Sequence, residues 1–375
     1  MTQPRRVLVI GGGAAGNAVT VLLRRAGIQV DLVEARADWN ATTGSGITVQ
    51  GNALRVLREL GVGDQVLASG YAFDAVGITT VDGTVLHVQE DARTGGDDLP
   101  ATVGMQRPRL QRILIDAVRA SRADIRLGTT AEAIEQQGEQ VLVRFSDGSE
   151  RRYDLVIGAD GISSRTRGQI GITDKPEPTG MAIWRAPAPR PASVVRTDLA
   201  YGGPAFIAGY CPTSATTIYA YVVEANRDRA SIPPEHFADE MRRLAREYGG
   251  AWTEITPHLT DPAQVNYTWF DRLLVEGSWH RGRVVLVGDA AHACPPTIAQ
   301  GAAMSLEDAL VLAELLTTRQ DWDERLLQDY YERRIPRVRA VVEASVQIGQ
   351  WQLDGVRGDV PGLMYRTMIM LKEAP

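Results

Sequence analysis

A glycine-rich turn between an apolar strand and a helix constrains the fold of this chain more than any other feature. Residues 6–10 (RVLVI) have the apolar run of a strand buried on both faces, and residues 17–26 have helical spacing. The turn between them carries three glycines in G-x-G-x-x-G spacing, at Gly11, Gly13 and Gly16. Residues 29–34 (QVDLVE) indicate a second strand, so the segment predicts a strand–turn–helix–strand unit.

This context favours a dinucleotide-binding function over a glycine-rich turn without a ligand. Gly11 allows the tight turn, Gly13 lets a pyrophosphate approach the backbone, and Gly16 lets helix and strand pack closely. Free N–H groups at the helix N-terminus favour a phosphate there. Glu34 ends the second strand, where its carboxylate could accept hydrogen bonds from an adenosine ribose. The motif by itself leaves FAD and NAD open.

Two further clusters follow apolar strands. Residues 158–167 (GADGISSRTR) place Asp160 at the carboxyl edge of one strand, and residues 288–292 (GDAAH) place Asp289 at the edge of another. Ligands bind at this edge in such sheets, whereas the alternative is that each aspartate caps a helix. For His292 a packed position in the core is favoured over a functional one.

The middle of the chain is rich in strands. Alternation predicts a hairpin at 73–88, a meander at 125–157 and a strand pair at 205–223, whereas the prolines of 174–200 indicate loops and edge strands. Apolar spacing predicts the helices 52–60, 108–120, 234–248 and 305–316, and a mostly helical C-terminus. Because βαβ patterns lie on both sides of this strand-rich segment, we expect one dinucleotide-binding domain interrupted by a sheet domain.

Composition narrows the function classes. The net charge of −6 predicts no nucleic-acid partner, and the five histidines are too scattered to predict a metal site. The chain has only two cysteines, Cys211 and Cys294, which cannot build a disulfide scaffold. Without a signal peptide or a long apolar run, we expect a cytoplasmic protein with no membrane partner.

In this order and spacing, the three clusters resemble the flavoprotein aromatic hydroxylases, which are single-component, class A FAD-dependent monooxygenases. Their pattern is GxGxxG, then GADGxxSxxR, then GDAAH followed by proline and a glycine-led helix with Glu-Asp. This chain has the pattern at 11–16, 158–167 and 288–308, and the resemblance spans residues 5–340. It implies an α/β fold of the para-hydroxybenzoate hydroxylase type. A Rossmann-like, GR2-type FAD-binding domain would be interrupted by a mostly antiparallel β-sheet substrate domain, with helices at the C-terminus.

The resemblance also implies domain bounds and cofactor-binding residues. The FAD-binding domain would comprise 1–72, 101–175 and 271–335, the substrate domain 73–100 and 176–270, and a C-terminal helical segment 336–375. FAD would contact Gly11, Gly13, Ala14, Ala15, Gly16, Glu34, Arg107, Asp160, Asp289, Pro296, Gly301 and Ala302. One departure from the pattern is Ala299, where the family has glycine, and it is expected to restrict the backbone beside the flavin.

The implied activity is hydroxylation of a small aromatic or polycyclic substrate. NADH or NADPH would reduce FAD, and O₂ would then form a flavin C4a-hydroperoxide that attacks the substrate. Tyr210 and Tyr219 on the middle strands are the candidate catalytic side chains, and Trp184 and Phe206 are candidates to line the pocket. A flavin epoxidase, a drug-inactivating hydroxylase, a reductase and a non-enzymatic escort protein are the alternatives. A monomer or a homodimer is expected.

Overall fold

The computed structural model describes residues 5–40, 44–228 and 231–375. The strands of these ranges are β1 (Arg6–Ile10), β2 (Gln29–Glu34), β3 (Ile47–Gln50), β4 (Tyr71–Phe73), β5 (Ala75–Thr79), β6 (Val85–Glu90), β7 (Thr102–Met105), β8 (Asp124–Leu127), β9 (Ala131–Gln137), β10 (Gln140–Phe145), β11 (Glu150–Tyr153), β12 (Leu155–Gly158), β13 (Glu177–Pro189), β14 (Thr197–Tyr201), β15 (Ile207–Pro212), β16 (Thr217–Ala225), β17 (Asn266–Leu274), β18 (His280–Arg281), β19 (Val284–Leu286) and β20 (His292–Ala293). The α-helices are α1 (Ala14–Arg25), α2 (Gly51–Glu59), α3 (Gly63–Ser69), α4 (Arg107–Ala120), α5 (Arg165–Gln169), α6 (Phe237–Ala245), α7 (Trp252–Ile255), α8 (Gly301–Thr318), α9 (Glu324–Leu353) and α10 (Val360–Lys372).

A six-stranded sheet in the order β18-β19-β12-β1-β2-β8 draws its strands from both ends of the chain. All its pairs are parallel except β18 with β19. In the register of these strands Ile10 lies opposite Gly158, which lies opposite Leu286. The turns that follow β1, β12 and β19 therefore meet at one carboxyl edge, which brings the three sequence clusters together.

An eight-stranded, mostly antiparallel sheet in the order β20-β17-β13-β16-β15-β14-β5-β6 is built mainly from the middle of the chain. Two smaller sheets, β11-β10-β9 and β3-β7-β4, complete the architecture, and α9 and α10 follow as C-terminal helices. The structure confirms the predicted α/β class and the insertion of a sheet between βαβ segments.

The prediction of loops and edge strands for the proline-rich segment 174–200 is wrong for most of its length. β13 spans 13 residues there and lies between β16 and β17 in the interior of the sheet. A bulge follows Pro178, and the pairing with β17 ends at Arg185, before Pro187 and Pro189. Pro178 thus lies at a bulge, and Pro187 and Pro189 lie beyond the part of β13 that pairs with β17. On that side the strand makes no ladder hydrogen bond at these positions, so it tolerates the prolines.

The helix predicted at 305–316 begins four residues earlier, at Gly301. The predicted domain division also remains a prediction, and its units 1–72 and 176–270 extend over residues 1–4, 41–43 and 229–230, which lie outside the described residues. In the described part of the chain, no helix combines the length and the apolar character needed to cross a membrane.

Candidate functional site

A cavity of about 1350 Å³ lies between the carboxyl edge of the six-stranded sheet and one face of the eight-stranded sheet. It exceeds the ~300–1,000 Å³ typical of pockets for small ligands. The structure brings every predicted cofactor-binding residue except Gly16 to its wall: Gly11, Gly13, Ala14, Ala15, Glu34, Arg107, Asp160, Asp289, Pro296, Gly301 and Ala302. The cavity is therefore the candidate site, with room for more than one bound molecule.

The glycine turn has the three steric properties predicted from sequence. Gly11 has φ +105°, and a Cβ there would lie 2.3 Å from the carbonyl oxygen of Ala159. A Cβ on Gly16 would lie 1.9 Å from the carbonyl oxygen of Gly11, which explains why Gly16 packs inside rather than lining the cavity. A Cβ on Gly13 would meet no atom within 4 Å, so the backbone at the start of α1 is open to a ligand.

The backbone of Gly12 is held by side chains on both of its polar groups. Its carbonyl oxygen accepts hydrogen bonds from Trp39 Nε1 at 2.9 Å, Gln111 Nε2 at 2.7 Å and Asn17 Nδ2 at 3.0 Å. Its N–H donates to Glu34 Oε2 at 2.8 Å. Sequence reasoning missed Trp39 and Gln111, because nothing in the glycine motif indicates which distant side chains fix the turn.

Asp160 lies at the predicted strand edge and holds the first turn of α5, whose N-cap residue is Ser164. Its carboxylate accepts hydrogen bonds from the Ser164 hydroxyl at 2.5 Å and from the Thr166 N–H at 2.9 Å. The neighbouring Arg167 is buried and donates from Nη1 to the carbonyl oxygen of Ala290 at 2.9 Å. The second sequence cluster thus supports the backbone of the third.

A buried charge network holds the start of α8 against the turn that carries Asp289. Asp308 accepts from the N–H of Gly288 at 2.8 Å and contacts His292 Nε2 at 2.7 Å. Arg334 of α9, fully buried, donates to Asp308 at 2.7 Å and to Glu307 at 2.9 Å. The remaining members of this α8 charge network are Arg337, which pairs with Glu307, and Asn52, which donates to Glu307. Sequence reasoning placed His292 in the core, as the structure does, but it missed Asn52, Arg334 and Arg337.

The network keeps its carboxylates charged inside the protein. Burial is the largest single effect and opposes their ionisation. Arg334, Arg337 and Asn52 around Glu307, and His292 and Arg334 around Asp308, together outweigh it, so the pKa values of both carboxyls lie below their ordinary values. Asp289, in contrast, has no arginine in ion-pair contact within the described residues, and burial raises its pKa. Its side chain is open to the cavity and lies 3.5 Å from the Ser305 hydroxyl. Asp289 is thus free to receive a ligand hydroxyl.

Ala299 precedes α8 in a left-handed backbone conformation, with φ 55° and ψ 32°. This conformation costs an L-residue with a Cβ about 1–2 kcal/mol. The expected restriction by Ala299 is therefore visible as a strained turn at the cavity wall, directly before the N-terminus of α8.

Tyr219 lines the cavity from the eight-stranded sheet, and Tyr210 does not. The Tyr219 hydroxyl lies 3.0 Å from Thr48 Oγ1, and its ring is 5.3 Å from that of Tyr221. Tyr210 projects from the opposite face, where it packs on Trp252 and bonds Asp198 at 3.2 Å. Side chains alternate along a strand, so the choice of face follows from the register with β16.

The two other aromatic candidates also lie off the cavity wall. Trp184 is fully buried on the face that carries Tyr210, stacked on Tyr267 at 4.2 Å, so it is a core residue. Phe206 packs against the apolar cluster of Met181, Ile183 and Phe270, which does line the cavity. Sequence reasoning missed Arg185, which reaches the cavity from β13.

Known proteins share this arrangement. A family model described as an FAD binding domain matches residues 5–345, so the chain belongs to this family and is an FAD-dependent oxidoreductase of the aromatic hydroxylase type. YetM of Bacillus subtilis, whose name assigns it to the FAD-dependent monooxygenases, is 33% identical over 94% of this chain and 95% of its own. The 3-amino-4-hydroxybenzoate 2-monooxygenase of Streptomyces cremeus is 31% identical over 90% of this chain and 84% of its own. HpxO of Klebsiella pneumoniae, solved with FAD and uric acid, has the same fold, with a TM-score of 0.82 at 23% identity over 98% of this chain and 92% of HpxO.

The residues of the cavity fit FAD. The open backbone at Gly13 and the N-terminus of α1 suit a pyrophosphate, since free N–H groups and the helix dipole attract anions there. Glu34 and Asp289 offer carboxylates for sugar or sugar-alcohol hydroxyls on either side of that turn. The sequence resemblance to flavoprotein aromatic hydroxylases is thereby confirmed at the level of family and cofactor.

Proposed function

We propose that this protein uses NADH or NADPH and O₂ to hydroxylate a small aromatic substrate bound on the cavity face of the eight-stranded sheet. The observation that carries the proposal is the continuity of the cavity, which joins the glycine turn and the start of α8 to that sheet face. FAD bound there would supply the redox and oxygen chemistry. The protein would supply position, exclusion of water and hydrogen bonds.

The proposed cofactor contacts follow from the walls of the cavity. Gly11, Gly13 and the first turn of α1 would hold the pyrophosphate, and Glu34 the adenosine ribose. Asp289 would accept hydrogen bonds from the ribityl chain. Pro296, Gly301 and Ala302 would lie along the flavin ring, with the α8 N–H groups facing its polar edge. Arg107 and Asp160 line the same wall and complete the set.

Tyr219 would bind the substrate as a hydrogen-bonding group and not as a general base. Burial raises the pKa of Tyr219 well above that of an exposed tyrosine, so the hydroxyl keeps its proton at neutral pH. Its contact with Thr48 orients this hydroxyl at the sheet face. It can then donate to a substrate oxygen while accepting from Thr48.

The proposal is tested by screening phenolic and polycyclic compounds for stimulated NADH or NADPH oxidation by the purified yellow protein. A matching uptake of O₂ and a product heavier by one oxygen atom support it. Stimulated oxidation without uptake of O₂, with the two electrons recovered in a reduced product, indicates the alternative of a reductase. A colourless protein that ignores both nucleotides contradicts the proposal.

A further inference from the structure

The cavity face of the eight-stranded sheet changes from polar to apolar along its strands. Tyr219, Tyr221 and Val223 follow one another on the cavity side of β16. Val223 lies opposite Ile183 on one side and Ile207 on the other, and these three side chains line the cavity and are at least nine-tenths buried. At about 3.3–3.4 Å per residue, this Val223 row lies roughly 13 Å along the strand from Tyr219. A single aromatic ring bound at Tyr219 does not reach it.

Helix α10 adds a second apolar wall to the same cavity. Apart from Lys372 at its end, the α10 residues that line the cavity are apolar or aromatic, and they include Met364 and Met368. Methionine side chains are flexible and polarisable, so they adapt to ligands of irregular shape. Leu353 at the end of α9, shortly before α10 begins, packs on the apolar cluster that contains Val223, so the two walls lie near each other. The proposed cofactor contacts include no residue of either wall.

The apolar lining continues to the surface of the protein. Tyr201, which lies opposite Ile207, lines the cavity and is 41% exposed. Tyr365 and Ile369 of α10 also line the cavity and are 67% and 43% exposed. Apolar surface in contact with water is unfavourable, so a lining of this kind favours an apolar ligand group that covers it. A flexible chain can follow such a lining from the interior to the surface, whereas a rigid ring cannot.

Resting on the proposed function, we infer that the aromatic substrate carries an apolar chain, which binds along the Val223 row and α10 while the ring lies at Tyr219. The chain would remove apolar surface of the cavity from water, and each CH₂ group that it buries strengthens binding by up to about 4-fold. Since the lining ends at exposed side chains, a chain longer than the cavity would extend into solvent and gain no further affinity. The substrate class is thus an amphiphilic aromatic compound, polar at the ring and apolar in the chain.

The test measures dissociation constants by calorimetry on the FAD-loaded protein, without NAD(P)H, for 4-methyl-, 4-propyl-, 4-pentyl- and 4-heptylphenol. We expect 4-pentylphenol to bind about 20- to 200-fold more tightly than 4-methylphenol. The matched probe is 4-(2-methoxyethoxy)phenol, whose chain has the same length but two ether oxygens, and it should bind more weakly than 4-pentylphenol. Equal affinities across the alkyl series, affinities that fall with chain length, or no binding of any member overturn the inference.

Variants of the two walls show where the chain binds. Val223→Thr makes the sheet row polar at nearly constant shape, and Met364→Gln does the same for α10. Met370→Gln is the matched control, since Met370 lies on α10 but lines a second cavity, which α10 shares with α9 and β17. The preference for 4-pentylphenol over 4-methylphenol is expected to fall about 3- to 10-fold in both wall variants and to stay unchanged in the control. Because this ratio compares two ligands on one protein sample, a partial loss of folded protein does not alter it. An equal ratio in wild type and both wall variants overturns the inference.

The FAD content of the variants separates the chain from the cofactor. Val223→Thr and Met364→Gln are expected to purify with as much FAD per mole of protein as the wild type. Loss of FAD in either variant would assign that wall to the flavin ring and overturn the inference. Since binding is measured without turnover, failure of the proposed oxygenation leaves these results unchanged, and oxygenation whose kcat/KM ignores chain length contradicts only the inference.

Discussion

At the scale of single residues, the turns of the site contain positive φ angles, which glycine adopts freely. At one such position the chain has an alanine. Ala299 has φ 55° directly before α8, whereas the neighbouring turns use glycine for positive φ, as at Gly11 and Gly288. A Cβ at Gly11 would collide with backbone, so that glycine is irreplaceable, but Ala299 is only strained. A side chain at Gly11 would therefore cost far more stability than the one that Ala299 already carries.

We expect Ala299→Gly to raise the free energy of unfolding by up to about 1 kcal/mol, since the strain of about 1–2 kcal/mol exceeds the entropy that glycine gains in the unfolded chain. Urea denaturation followed by circular dichroism measures the change. Ala117→Gly within α4 is the control and is expected to lower stability, because helical alanine carries no such strain. A loss of stability in both variants would contradict the strained turn.

Asp289→Ala is expected to abolish tight retention of FAD while leaving the fold intact. The side chain opens into the cavity and is not part of the α8 charge network, so its loss removes a ligand contact and not a core interaction. The flavin absorbance per mole of purified protein measures the effect. A variant that purifies fully yellow would exclude Asp289 from the cofactor site.

Asp91, which lines the cavity, is expected to make stability depend on pH. Burial and the nearby Asp74 raise its pKa to about 6, so the folded protein holds this proton where the unfolded chain releases it. This contribution is fully present below about pH 4 and is lost as pH rises through about 6. Relative to wild type, Asp91→Asn should therefore gain about 1–2 kcal/mol between these limits, measured by urea unfolding at each pH.

Glu90→Gln is the matched control for removal of a carboxylate, since Glu90 is the exposed residue that ends β6 and directly precedes Asp91. A stability difference between Asp91→Asn and wild type that stays constant with pH would show that Asp91 titrates normally.

At the scale of elements, α8 is positioned by charge as well as by apolar packing. Its second turn carries Glu307 and Asp308, both fully buried and paired with arginines of α9. Through Asp308 the same network holds the N–H of Gly288, next to Asp289. The cavity wall at Asp289 and α8 is thus connected to α9.

Arg334→Ala is expected to lower the free energy of unfolding by about 3–5 kcal/mol, because it leaves the buried Asp308 without its arginine partner and Glu307 with Arg337 alone. The neighbouring Arg333 pairs with Glu314 at the surface, so Arg333→Ala is the matched control and should cost no more than about 1 kcal/mol. Urea denaturation of both variants provides the comparison. Similar losses in the two would contradict a special role for the buried network.

The elements also differ in how well the sequence alone predicts them. The unit β1–α1–β2 was predictable because glycine spacing and apolar runs are local signals. The interior position of β13 was not, since prolines indicate an edge strand until the register with both neighbours is known. The partners Arg334 and Asn52 lie far from Glu307 in sequence, and Tyr210 and Tyr219 could not be separated without the pairing that fixes their faces.

At the scale of the whole molecule, two sheets of different kinds meet around one cavity. The parallel sheet brings three dispersed glycine clusters to one edge, and the antiparallel sheet supplies a wall with Tyr219 and Arg185. Continuity between these walls is what makes an FAD-binding fold a candidate oxygenase, because the proposed substrate face and the proposed cofactor wall line the same cavity.

The most direct test of this account is the origin of the oxygen atom in the product. The purified protein, supplied with NADH or NADPH and a substrate that stimulates its oxidation, is allowed to react under isotopically heavy O₂, and the product is analysed by mass spectrometry. The account predicts one heavy oxygen atom per product molecule. A product without the label, formed while the nucleotide is still consumed, would contradict it.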